Sequence, residues 1–148
     1  MLRKLHAVMM RVHGAEYPNT LSVAGYLAAS LAEQGKHADA ERIEREVHEV
    51  QQRVLGAEHP ITLTSAGNLA SSLSRQGKYV DAERVQREVL GVRKRVLGAE
   101  HPDTLRSAGN LAASLHNQGK HADAERIERE VHEVSKRVLG AEDRKSVV

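Results

Sequence analysis

Apolar residues recur along this chain at helical spacing. Leu63, Ala66, Leu69, Ala70 and Leu73 fall at i, i+3, i+6, i+7 and i+10, a stripe on one side of a helix and not the alternation of a strand. A second stripe, Ala40, Ile43, Val47, Val50 and Val54, lies in a pattern running from about Lys36 to Leu55. The positions between are charged, with Glu41, Arg42, Glu44, Arg45 and Glu46 reading as a solvent face. Glu41 and Arg45 form an i, i+4 pair in the favourable order, a contribution of about 0.2–0.5 kcal/mol. No period-2 run rich in β-branched or aromatic residues exists, so the chain reads as all-α.

Proline and glycine mark the ends of these helices. Pro60 suits a first helical position, where its missing N–H costs nothing, and Gly77 suits the residue just past the end, where positive φ is wanted; Gly35 and Gly119 match it. Gly56 closes the second helix, and Gly56-Ala57-Glu58-His59-Pro60 leads to the next first helix.

The same connection stands at Gly14–Pro18 and Gly98–Pro102, and begins again at Gly140–Glu142, always 42 residues apart. Residues 14–55 and 98–139 differ at nine of 42 positions, and His37–Val50 returns unchanged as His121–Val134. Self-similarity at such a period marks a solenoid, in which each hairpin has one apolar face and must stack on its neighbours. Leu5, His6, Val8, Arg11 and Val12 align with Val47, His48, Val50, Arg53 and Val54, so residues 1–13 read as the end of a preceding repeat and not as a targeting segment. The expected organisation is a single array over 1–142. It consists of 1–13, full repeats at 14–55, 56–97 and 98–139, and a broken fourth start with a tail at 140–148, no polar capping helix following Leu139.

Composition narrows the chemistry. In 148 residues there is no Cys, Trp or Phe and only three Tyr. Disulfides, iron–sulfur clusters and thiol nucleophiles are excluded, and a reducing cytosol fits. Ala24, Ala28, Ala66, Ala70, Ala108 and Ala112 offer the close helix approach by which a core forms without rings. A net charge of +2 from 22 basic and 20 acidic residues is no nucleic-acid footprint. No stretch reaches the ~20 apolar residues of a membrane span.

Asn68-Leu69-Ala70, Leu73, Gln76-Gly77-Lys78-Tyr79, Asp81-Ala82-Glu83, Val96-Leu97-Gly98 and His101-Pro102-Asp103-Thr104-Leu105 closely resemble the 42-residue tetratricopeptide repeat (TPR) of kinesin light chains and related arrays. The resemblance covers residues 1–142. It implies an α-solenoid of antiparallel hairpins, a TPR superhelix of about three full repeats plus a leading half repeat, whose first helices line a concave peptide-binding groove. Where the family carries aromatics, this chain has Leu31, Leu73 and Leu115 in the first helices and Glu44, Gln86 and Glu128 in the second, while Tyr79 alone keeps the ring that His37 and His121 replace. Thinner packing and modest stability follow.

Carried over by position, Asn68 and Asn110 match the family's groove asparagine, whose amide donates to and accepts from an extended backbone, and Tyr26 occupies that place in the first repeat. Thr64, Ser71 and Arg75, with Arg106, Ala113 and Asn117 in the next copy, share that surface, and the two arginines favour an acidic peptide. The expected function is a non-catalytic interaction module. Alternatives are a scaffold that self-associates end to end, or the sensor segment of a larger signalling ATPase or kinesin light chain-like protein. No cofactor, nucleic acid or membrane partner is expected. The nine histidines show no His-x-x-x-His or His-Glu-x-x-His spacing, with His59 and His101 before the prolines and His48 and His132 among exposed charges, so no metal site is expected. No phosphate loop or Ser-His-acid arrangement is present, and the glutamates of the second helix pair with arginines in solvent, so no enzyme is expected.

Overall fold

The computed structural model describes residues 2–14 and 18–146. Among the described residues seven α-helices follow one another: α1 Leu2–His13, α2 Pro18–Glu33, α3 His37–Leu55, α4 Pro60–Arg75, α5 Tyr79–Leu97, α6 Pro102–Asn117 and α7 His121–Ser146. Among the described residues there is no strand. Residues Ala15, Glu16 and Tyr17 of the first connection, and the last two residues of the tail, lie outside the described residues. The chain divides into two compact units, residues 1–78 with α1 to α4 and residues 79–148 with α5 to α7.

In the first unit the expected stripes meet. Ala24, Leu27, Ala28 and Leu31 of α2 pack with Ala40, Ile43 and Val47 of α3, and Leu2, Leu21 and Ala32 close the edges. In the second, Leu90 of α5 joins Ala108, Leu111, Ala112 and Leu115 of α6 and Ala124 of α7, flanked by Ile127 and Val131. Leu31, Leu73 and Leu115 are no more than 2% exposed, so leucines fill the ring positions. Val54 departs from expectation, being exposed although its helical angle keeps it on the buried stripe. The cause is length: α3 has 19 residues against 16 in α2, an overhang of about 4.5 Å at 1.5 Å per residue, and Leu55 and Val96 are exposed at the same end of α3 and α5.

The Gln-Gly-Lys turns close α2, α4 and α6 in one geometry. Lys78 N–H donates to Leu73 C=O at 2.9 Å and Gly77 N–H to Ser74 C=O at 3.0 Å, and the other two turns repeat both bonds. This is the Schellman pattern, which needs positive φ at the glycine; Gly35, Gly77 and Gly119 have φ of 77°, 77° and 76°. At the opposite ends, His59 and His101 cap α4 and α6, each Nδ1 accepting from the N–H two residues on, Ile61 at 3.2 Å and Asp103 at 3.1 Å.

Two expectations are corrected. Gly140 does not open a new connection, because α7 runs through it to Ser146. Where Pro60 and Pro102 bar the preceding helix from continuing, this copy has Arg144, whose N–H is free to extend the ladder. Nor are the second-helix glutamates all in solvent, since Glu41 and Glu83 are buried. Lys78 Nζ lies 3.0 Å from the Glu41 carboxylate, with Gln76 Nε2 and Arg45 also donating to it; Lys120, Gln118 and Arg87 hold Glu83 alike. Burial by itself raises the Glu41 pKa, but the bonds from Lys78, Gln76 and Arg45 outweigh it and lower it to about 2. For Glu83 the Gln118 bond leads, desolvation opposes it, and the Lys120 and Arg87 bonds bring the value to about 2.

Candidate functional site

The buried stripe of α4 leaves Thr64, Asn68, Ser71 and Arg75 on the opposite side, all exposed. Facing them across the gap, α2 contributes Gly25, Ala28, Ala29 and Ala32, whose small side chains leave room between the helices. The result is a groove of about 300 Å³ in the first unit, with Asn68, Ser71, Ser72 and Arg75 on one wall, the small residues and Glu33 on the other, and Glu44, Val47 and Ser65 contributing. Asn68, Ser71 and Arg75 thus come together. Thr64 does not line it, and its hydroxyl donates to Pro60 C=O at 3.0 Å. Tyr26 is 67% exposed on α2, outside the groove lining.

Sequence reasoning placed Glu44 on a solvent face, and the structure makes it half-buried. Desolvation raises its pKa, with Glu41 adding to the rise and a hydrogen bond from Ser72 and the charge of Arg75 opposing it. Its Oε2 is buried without a hydrogen-bond partner. The signal was in the sequence: position 44 is where the resembled family places an aromatic, so a side chain there is drawn into packing. His48 is corrected likewise, being half-buried with Nδ1 3.1 Å from Ser65 Oγ, whereas His132 is exposed as expected.

In the second unit Arg106, Asn110 and Asn117 are exposed on one side of α6, as is Ala113. Arg106 is already engaged, its guanidinium 2.9 Å from Asp103. Arg75 shares its groove with Glu33 and Glu44, so neither arginine gives its surface a net positive field. His116 Nε2 lies 3.0 Å from Glu128 and its Nδ1 2.9 Å from His121 Nδ1. Among the described residues no group of three or more His, Asp or Glu is placed to hold a metal ion, and no helix is long and apolar enough to cross a membrane.

A tetratricopeptide repeat family model matches residues 20–95 and again 62–137. No curated protein matches the chain. Among solved structures, the nearly identical TPR-like repeats of a kinesin light chain-like protein from Podosopora anserina superpose with a TM-score of 0.86 at 24% identity, covering 93% of this chain and 65% of that one. A variant of the same protein gives the same figures. BtubC (BKLC) from P. vanneervenii superposes at 0.83 with 17% identity, over 94% of this chain and 56% of that one. The chain therefore spans less than two thirds of the length of each, and likeness at this identity speaks for the fold alone.

Proposed function

This chain belongs to the tetratricopeptide repeat family, and from that premise we propose that it binds an extended peptide segment of a partner protein in the groove between α2 and α4, without chemistry of its own. A role as a protein-interaction repeat module is what the family and fold support in general. The observation that carries the specific reading is the convergence of Asn68, Ser71 and Arg75 on one wall facing the alanines of α2. An amide, a hydroxyl and a guanidinium supply donors and acceptors to a backbone, while the small facing residues admit its width. In the second unit Asn110 and Asn117 offer amides on α6, with Ala113 at the position of Ser71. The mixed charge of the groove favours a peptide of balanced charge over the acidic one expected from Arg75 and Arg106, because Glu33 and Glu44 repel carboxylates there.

A peptide array probed with the purified chain would identify a ligand, and titration calorimetry of Asn68→Ala and Asn110→Ala would then test the groove. Each variant should weaken binding about fivefold to tenfold with helical content unchanged, the loss of one or two neutral hydrogen bonds. Unchanged affinity in the double variant would refute the assignment.

A further inference from the structure

Glu44 puts a carboxylate where the resembled family packs a ring. It is half-buried on α3 and lines the α2–α4 groove, and its Oε2 is buried without a hydrogen-bond partner. Ser72 donates to the same carboxylate, so that bond engages the other oxygen. Arg75 reaches Glu44 through its charge. An acceptor oxygen taken out of water with nothing donated to it is costly, and a donor entering the groove relieves that cost. In the second unit the same repeat position holds Gln86, whose Oε1 is likewise buried without a partner.

The third copy of the repeat shows one way in which this carboxylate is met. Glu128 stands at the position of Glu44, inside the segment His121–Val134 that is identical to His37–Val50. There His116 Nε2 lies 3.0 Å from Glu128 Oε1. A carboxylate only accepts, so the imidazole nitrogen is the donor. Position 116 is the counterpart of Ala32, a residue of the groove wall. The same hairpin therefore provides a donor in its third copy and only a methyl group in its first, where the missing donor is left to a ligand.

Charge and geometry select that donor. In the groove lining Glu33 and Glu44 are acidic and Arg75 is basic, which leaves one negative charge in excess and favours a cation. A guanidinium fork seeks both oxygens of a carboxylate at once, and here Ser72 holds one of them. An ammonium is a compact point charge that a single oxygen serves, and its methylene stem can lie along Gly25, Ala28, Ala29 and Ala32. The last torsion of a glutamate is broad, so the carboxylate turns towards an entering donor at little cost. We propose that the peptide bound in the α2–α4 groove places a lysine on Glu44, its ammonium donating to the carboxylate oxygen that has no partner in the fold. The inference rests on a peptide occupying this groove and adds which of its side chains is read.

An array of extended peptides tests it, each randomised except for a central lysine, arginine, acetyl-lysine or glutamate. It is probed with the full chain and with Asn68→Ala, Glu44→Gln and Ala32→His. The signal that Asn68→Ala weakens belongs to the groove. Within that signal a central lysine should bind about tenfold more tightly than acetyl-lysine, and more tightly than arginine, the loss of one charge-assisted hydrogen bond. Glu44→Gln should erase the lysine preference. Ala32→His sets in the first copy the imidazole that meets Glu128 in the third, and should erase it as well. Gln86 and His116 already occupy these repeat positions, so circular dichroism should show both variants fully helical; if one loses helix, the other decides. A groove signal indifferent to the central residue, a preference for arginine, or a lysine preference that survives the folded variants would overturn the proposal and leave the groove reading standing. Binding that Asn68→Ala leaves untouched would overturn the groove reading, and the lysine with it.

Discussion

Lys78 Nζ lies 3.0 Å from the carboxylate of Glu41, a residue 37 positions earlier, and the pair is repeated without change of distance by Lys120 and Glu83. In each unit a turn that ends one helix reaches across to the second helix of the preceding hairpin, so a local backbone motif and a long-range contact are made by the same three residues.

That coupling predicts an acid limb to stability. Both glutamates titrate at about 2 in the fold against an ordinary value of 4.5. The folded state therefore binds their protons less readily than the unfolded chain. The stabilisation is present in full above about pH 4.5 and is lost as pH falls towards 2. Thermal melts between pH 6 and 2 should show a drop in this window that is reduced in Glu41→Gln; an unchanged pH profile would count against the clamp.

The duplicated segment supplies an internal control. Glu41→Ala strips Gln76 and Lys78 of their acceptor and should destabilise the first unit by about 2 kcal/mol, whereas Glu125→Ala, made in identical local sequence, should cost under about 0.5 kcal/mol. Urea unfolding of the two variants compares them directly, and equal losses would show that helix propensity and not the clamp is being measured.

Thr20, Thr62 and Thr104 are no more than 1% exposed, and each hydroxyl is without a hydrogen-bond partner. Removing an unsatisfied buried hydroxyl at nearly constant shape relieves its desolvation cost. Thr62→Val should stabilise by about 0.5–1 kcal/mol in urea unfolding. A loss of stability would mean that the hydroxyl has a partner in solution.

Arg144 stands where the earlier connections have proline. Arg144→Pro removes the donor to Gly140 C=O and clashes with that carbonyl, at a cost of about 3 kcal/mol to a continuous helix. Hydrogen exchange should then show α7 ending near Leu139, with amides of residues 140–146 losing protection; a protected last turn would contradict the account of why α7 runs on.

His59→Ala should remove the cap on α4 and lower stability by about 1 kcal/mol, with His59→Asn restoring most of it because a short side-chain acceptor serves the same N–H. Thermal unfolding of the two variants beside the unaltered chain measures both effects.

Much of this fold was legible because the repeat reports each element three times. The helix ends at Pro60, Gly77 and Pro102, the buried alanines and the leucine-filled ring positions all follow from residue type and period. What was illegible depended on neighbours 35 or more residues away. Glu41 and Glu125 have the same flanking sequence, and no local rule assigns one to the interior and the other to solvent. Glu44 was misplaced for a related reason: helical charge patterning places it outside, while packing of the hairpin draws it under Ser72. At the groove, Asn68, Ser71 and Arg75 were recognisable from one face of α4, but the opposing alanine wall and the two glutamates became visible only once α2 and α3 were in place.

The identity of α3 and α7 over fourteen residues has a kinetic consequence. During folding, the α4 turn meets two chemically equal acceptors, Glu41 at a separation of 35 to 37 residues and Glu125 farther along the chain. Side-chain recognition cannot tell them apart, so only the shorter loop closure and the order in which segments become available select the native pairing. The nine differences between residues 14–55 and 98–139 all fall outside this segment, so none of them helps the turn choose between the two acceptors.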